Sequence, residues 1–383
     1  MNNVVISDAM IAAIKENDYR LLKSFDDETL INALDSRGQN LAFYAVRQKA
    51  HDALIYLIEC GIDIQLKNYY HDTILHIAAY LGDAFMVRLL MQKGVDINAK
   101  NKKHETPLMH AAIKGDLDTV KALVSKGASL YEVDSEGQHV LMHAVKSKKL
   151  KVVNYLVDHK APIHLLNDKK ESVMHLVSSH GLPSIFERFL ELGVNAHQTN
   201  IYGQTPLHYA MHTNMDQLVD VMLHIGLNSY DKDHFGQSPY DIAQQKEYFD
   251  AVIKFTRFKN NPDIQRNDRN YPLHRAIRFK AVDEALAYLH KMDDINQKDM
   301  FSNTALFYAL MSNDTSLIEA LLQKNANLYN IDAAKKDALF YAVVNKNYPV
   351  IDLIKAKQKG LIITPEIERL MHQSQDETLL KYL

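Results

Sequence analysis

The sequence predicts an all-α solenoid of helix-turn-helix units with short β-hairpin-like loops, on three observations. A motif returns every 33 residues, its first position falling without a slip at Asn40, Thr73, Thr106, His139, Ser172, Thr205, Ser238, Tyr271, Thr304 and Asp337. Five residues after each start stands alanine (Ala45, Ala78, Ala111, Ala144, Ala210, Ala243, Ala276, Ala309, Ala342), with Val177 the one departure. Five residues before each start stands Asp or Asn, from Asp35 to Asp332, with Arg266 the exception.

Each element of the unit follows from local chemistry. Thr205 suits a helix N-cap, its hydroxyl accepting an orphan N–H of the first turn, and Pro206 suits the first helical position, where a missing donor is harmless. Ala210 then falls mid-helix, where the smallest side chain allows close helix approach at high helix propensity. Apolar sets such as Val87, Leu89 and Leu90, or Val120, Leu123 and Val124, continue at helical spacing and mark a second helix. Gly61, Gly94, Gly127, Gly193 and Gly226 stand 21 residues after their starts, where a left-handed C-cap ends that helix.

A motif of the form Thr-Pro-Leu-His-x-Ala at this period resembles the ankyrin repeat, a turn followed by two antiparallel helices. The resemblance covers roughly residues 35 to 357. It implies that His76, His175, His208 and His274, all at the fourth motif position, are structural histidines tied into the turn by hydrogen bonds.

In chain order, residues 1–34 read as an N-terminal capping repeat, with Met10, Ala12, Ala13 and Ile14 on one helix and Tyr19, Leu21, Leu22 and Phe25 on the next. Residues 35–265 hold seven units, of which 134–166 ends in Lys160-Ala161-Pro162 in place of glycine. The weakest stretch is 233–298, where the second helix looks short and Lys259 occupies the glycine position. A joint at Thr256–Arg266 separates the three units of 266–364, which the unbroken phase keeps in the same stack with a local change of curvature. Residues 365–383 read as a C-terminal capping helix and tail.

Composition narrows the function. A net charge of −3 carries no basic excess that would point to nucleic acid or an anionic membrane. A single cysteine, Cys60, excludes an internal disulfide framework and fits a reducing compartment. Neither a signal peptide nor an apolar run long enough to span a bilayer is present, which points to a cytoplasmic protein. Helix pairs stacked ~8–10 Å apart imply a long rod that can act alone, as a monomer. Phosphate-loop, zinc-protease, dithiol and serine-hydrolase motifs are missing. The expectation is therefore no catalytic residues, no metal site and no cofactor.

Function then falls to positions the repeat leaves free, namely the hairpin tips and the open side of the first helix. The resemblance implies that together these line a concave groove that binds a protein partner. They carry Tyr69, Tyr70, Tyr80, Leu81 and Ile113 in one group, and Ile201, Tyr202, His234, Phe235, Phe279, Met300, Phe301 and Met311 in another. Exposed aromatics and methionine are the residue types of interface anchors. Two rival readings are a cryptic enzyme using Cys60 or a histidine on the repeat scaffold, and a phosphate or nucleic-acid binder using the lysines from Lys102 to Lys170. His110 and His143, one repeat apart, could neighbour each other but lack a third ligand for a metal. Asp116, Glu136 and Asp168 interrupt that basic stretch. Finally, long arrays rich in Lys, Asn, Ile and Tyr resemble those of host-associated bacteria, many delivered into host cells as effectors. The acidic-then-apolar tail from Gln373 to Leu383 is similar to a C-terminal secretion signal.

Overall fold

The computed structural model describes residues 6–25, 33–213, 216–259, 268, 270–278, 281–292, 294–329, 331–332, 336–374 and 376–383. Those residues form 24 helices and no strands, with isolated antiparallel bridges only at Val133–His139 and Lys298–Thr304. The chain divides into two compact units, Met1–Ala161 and Pro162–Leu383.

In the first unit two short helices, Asp8–Lys15 and Tyr19–Lys23, precede four helix pairs. These are Leu41–Gln48 with His51–Glu59, Ile74–Leu81 with Ala84–Gln92, Pro107–Lys114 with Leu117–Ser125, and Val140–Lys146 with Leu150–Asp158. The caps explain where the helices start. Thr106 caps with its hydroxyl on the Met109 amide, and Pro107 follows at the first helical position. Asp83 and Asp116 cap the second helices of their pairs. A cap of this kind contributes about 1 kcal/mol. Every motif alanine, and Val177 in its place, is buried, so helices approach where the side chain is smallest. The predicted glycines have φ between 77° and 89° (Gly61, Gly94, Gly127, Gly193, Gly226), the left-handed C-cap region. Lys160 takes the same conformation at φ 67° without a glycine's freedom.

The second unit contains six further pairs, beginning with Val173–His180 and Pro183–Glu191 and ending with Ala338–Val344 and Tyr348–Gln358. The helices Pro365–Gln373 and Glu377–Leu380 follow. One expectation is corrected here: after Ser238 the second helix, Phe249–Lys259, is 11 residues long and not short. Its buried Ala251 and Phe255 anchor one face, while Phe249 and Ile253 point outward, so the apolar stripe is weak in sequence. The expected joint lies mostly outside the described residues, from 260 to 267, as do Arg266 and Phe279.

Within this unit the inner helices of its last repeats do not face open solvent. Ala305–Ser312 and Ala338–Val344 are apolar all round, and Phe307, Tyr308, Met311, Phe340 and Tyr341 are all buried. A helix without a polar face must be covered on every side. The cover comes from loops of earlier repeats: the His164 ring meets Phe340 edge-on at 5.2 Å, and His197 meets Phe307 at 5.9 Å and Tyr308 at 6.1 Å. Lys336 lies against Gly193 and Phe301 against Gly226.

Candidate functional site

The hairpin tips are built by one recurring device. At Asp35, Asn68, Asn101, Asp134, Asn167, Asn200, Asp233 and Asp299, each five residues before a motif start, the side-chain oxygen turns onto two backbone amides, two and four residues ahead. Asp35 accepts from Arg37 and Gln39 at 2.8 Å each, and Asn68 accepts from Tyr70 and Asp72 at 2.9 Å each. Asn200 does the same for Tyr202 and Gln204, and Asp233 for Phe235 and Gln237. Such a side chain replaces a strand partner and fixes the turn. The third residue of each tip is left-handed, whether glycine (Gly38, Gly137, Gly203, Gly236) or not (His71, His104, Lys170, Ser302). A second bond ties the tip to its own first helix: Asp35 accepts from the Tyr44 hydroxyl at 3.0 Å, Asp134 faces His143 Nε2 at 3.0 Å, and Asp299 accepts from Tyr308 at 2.9 Å.

Neighbouring tips are joined backbone to backbone. Tyr69 donates to the Arg37 carbonyl at 3.0 Å, Lys102 to Tyr70 at 2.9 Å and Ser135 to Lys103 at 2.8 Å. In the second unit Ile201 donates to Lys169 and His234 to Tyr202, each at 2.9 Å. Two side chains per tip project from this ladder, and their identity changes from tip to tip.

The fourth-position histidines lock each repeat to the next. His76 Nδ1 accepts from the Thr73 amide at 3.2 Å, so its proton sits on Nε2, which donates to the Glu105 carbonyl of the following tip at 3.0 Å. His175 repeats this with Ser172 and Gln204, and His208 with Thr205 and Gln237. His274 donates to Gln297 at 2.9 Å. Burial, reinforced at His76 by the neighbouring His110, depresses His76 to about 4, and burial depresses His175 to about 4, so both rings are neutral at neutral pH.

The expected surface residues divide by what covers them. Tyr69, Tyr70, Tyr80 and Ile113 are exposed in the first unit, the tyrosines by 62%, 63% and 55% respectively. The Tyr69 ring rests on Gly38, where an added Cβ would stand 2.8 Å from it. In the second unit Tyr202 and Phe235 form an exposed ring pair with centroids 5.9 Å apart, Phe235 being 70% exposed. His234 is exposed with its ring over Gly203, and Ile201 and Met300 are exposed. Phe301 is only half-buried against Gly226. Met311, expected on the open side, is 6% exposed, because the loops beside His197 cover its helix. The extended apolar run Ala305–Met311 was the signal for that burial.

The groups weighed for chemistry are engaged structurally. His110 bonds to Glu105 at 3.2 Å and holds that carboxyl at about 2, with Asn101 assisting. His143 bonds to Asp134, and the rings that His110 meets are those of His76, at 5.2 Å, and Tyr80, at 6.1 Å. Among the described residues no three His, Cys, Asp or Glu side chains cluster as metal ligands would. Cys60 is exposed at a helix C-cap. Lys102, Lys103, Lys148 and Lys149 are exposed, as are Lys169 and Lys170 in the second unit, while nearby Lys100 pairs with Glu132 at 2.7 Å. No described helix is long and apolar enough to cross a membrane.

Comparison with known proteins agrees with this geometry. A family model described as "Ankyrin repeats (3 copies)" matches residues 9–101, 75–169 and 273–363, more than half of the chain, and one described as "Ankyrin repeats (many copies)" matches 156–210. Among solved structures, the human ASB11 ankyrin repeat domain superposes with a TM-score of 0.51 at 21% identity. That match covers 56% of this chain and 97% of the other. No curated protein matches the sequence.

Proposed function

Since the chain belongs to the ankyrin-repeat family, whose repeats are in general protein–protein interaction modules, we propose that it is a non-catalytic scaffold that holds a protein partner through its ring-bearing hairpin tips. One observation carries the reading: Tyr69 and Tyr70, and again Tyr202, stand exposed on tips whose backbone is already bonded on both sides, and Phe235 stands exposed on the tip bonded to that of Tyr202. Rings presented on a fixed backbone lose little entropy on binding and are favoured as interface anchors. The open side of the first unit's inner helices adds Tyr80 and Ile113. Delivery into a host cell has the tail as its support. That segment is folded, with Ile367, Met371 and Leu379 buried, so an export test must alter exposed tail residues and keep the helices.

The test uses two variants, Tyr69→Ala/Tyr70→Ala/Tyr80→Ala and Tyr202→Ala/Phe235→Ala, with affinity capture on immobilised full-length protein. At least one variant should lose its partner by about 30-fold or more in affinity, the scale of one strong anchor, while melting as the parent does. Full retention by both folded variants would refute the reading.

A further inference from the structure

A cavity of about 630 Å³ opens within the second unit, between the loops from His164 to Gly203 and the ends of the inner helices of the last repeats. Its size is that of a ligand pocket. No scaffold role at the tips requires it.

Its lining is chemically one-sided. Lys170 and Lys346 supply ammonium groups, and among the described lining residues there is no carboxylate. Lys346 lies 3.2 Å from Asp376, outside the lining, which leaves Lys170 the less compensated cation. Amide side chains (Asn200, Asn313, Asn345) alternate with aliphatic ones such as Val343 and Leu370. His164 adds a further demand, because its Nδ1 is buried without a hydrogen-bond partner. A buried polar atom left unsatisfied is costly, and such atoms mark places where a partner belongs.

A bare anion would satisfy the lysines and leave most of the cavity, with its aliphatic lining, unfilled. An apolar molecule would leave the lysines and His164 unanswered. We propose that this cavity binds a short extended peptide segment bearing a carboxylate. Its main-chain amides meet His164 and the carboxamides, its carboxylate meets Lys170 and Lys346, and its aliphatic side chains rest on Val343 and Leu370. Peptide amides and neutral carboxamides match because each offers both a donor and an acceptor.

Tyr202 and Phe235 do not line the cavity, although Ile201, Gly203 and His234 beside them do, so replacing the two rings tests the tip reading without removing a lining side chain. A displayed library of random heptapeptides is selected on the full chain. The most enriched sequence is then made as a fluorescein conjugate beside a counterpart with Asp→Asn or Glu→Gln. Enriched peptides should carry Asp or Glu, and the amide counterpart should bind at least fivefold more weakly. Lys170→Gln, an exposed change, should weaken binding at least fivefold, and Ser312→Trp should block it by filling the cavity. Tyr202→Ala/Phe235→Ala should leave it within twofold. The idea is overturned if no acidic peptide is enriched, if Lys170→Gln binds as the parent does, if the ring-pair variant abolishes binding, or if millimolar inorganic phosphate displaces the peptide. Should Ser312→Trp fail to fold, Lys170→Gln decides the matter.

Discussion

Two of the fourth-position histidines, His76 and His175, make the stability of this protein fall on mild acidification. His76 and His175 are neutral in the folded chain because burial disfavours the cation and because Nδ1 already faces a backbone N–H. A second proton on Nδ1 would set two donors against each other. In the unfolded chain the imidazole titrates near the ordinary 6.5, and in the fold near 4. Between those values the unfolded state takes up protons that the folded state refuses, so stability drops as pH falls from 6.5 towards 4 and is flat above about 7. At 1.36 kcal/mol per pH unit, each ring accounts for about 2 kcal/mol at pH 5 and about 3 kcal/mol below pH 4. His164, depressed to about 3 by burial and then by Lys336, adds in the same direction. Glu105 and Asp376, each held near 2, lose their contribution only at lower pH, beneath the ordinary carboxylate range. Burial raises Asp337, which acts with the opposite sign in a window above the ordinary Asp value of 3.8. The assay is urea unfolding at pH 7.5, 6.5, 5.5 and 5.0, with constant slope in denaturant as the check on cooperativity. His175→Gln should be less stable than the parent at pH 7.5, and that difference should shrink by about 2 kcal/mol at pH 5. Parallel curves for the two proteins across this range would refute the argument.

Three further substitutions test the backbone. Gly38→Ala and Gly94→Ala both place a side chain at positive φ, but only at Gly38 does the new Cβ meet anything, the Tyr69 ring at 2.8 Å. Gly94→Ala should therefore cost about 1 kcal/mol and Gly38→Ala more, with a changed Tyr69 environment, as thermal melts and tyrosine fluorescence would show. Lys160→Gly relieves a left-handed lysine and should raise the melting temperature, corresponding to about 0.5–1 kcal/mol; a fall would mean that the Lys160 side chain holds something worth more than the strain.

What could be read from the residues was whatever the repeat imposes on every copy. The alanines, the glycines and Thr205-Pro206 are local or nearest-neighbour requirements, and the structure places each where its chemistry asks. The Asp and Asn positions were visible as a pattern, but their work on the tip amides was not, because two bonds from one side chain leave no trace in periodicity. Exposure was legible where nothing covers a position, as at Tyr69, Tyr70 and Phe235. It failed at Met311, where contact comes from residues more than a hundred positions earlier. The cavity was invisible for the same reason. The length of Phe249–Lys259 was missed because Gln244, Gln245 and Lys246 break the apolar run ahead of it.

The all-round apolar character of Ala305–Ser312 and Ala338–Val344 sets a limit on how this chain can be edited. An array held only by adjacent contacts tolerates the excision of a whole copy, since its flanking copies can close over the gap. Here, removing the copy that carries His164 or His197 would strip the roof from Phe307 and Phe340 far downstream and turn them into a sticky face. The latter half of this chain therefore inherits its copies as a set, and a shortened version would need polar replacements on both inner helices before it could stay dispersed.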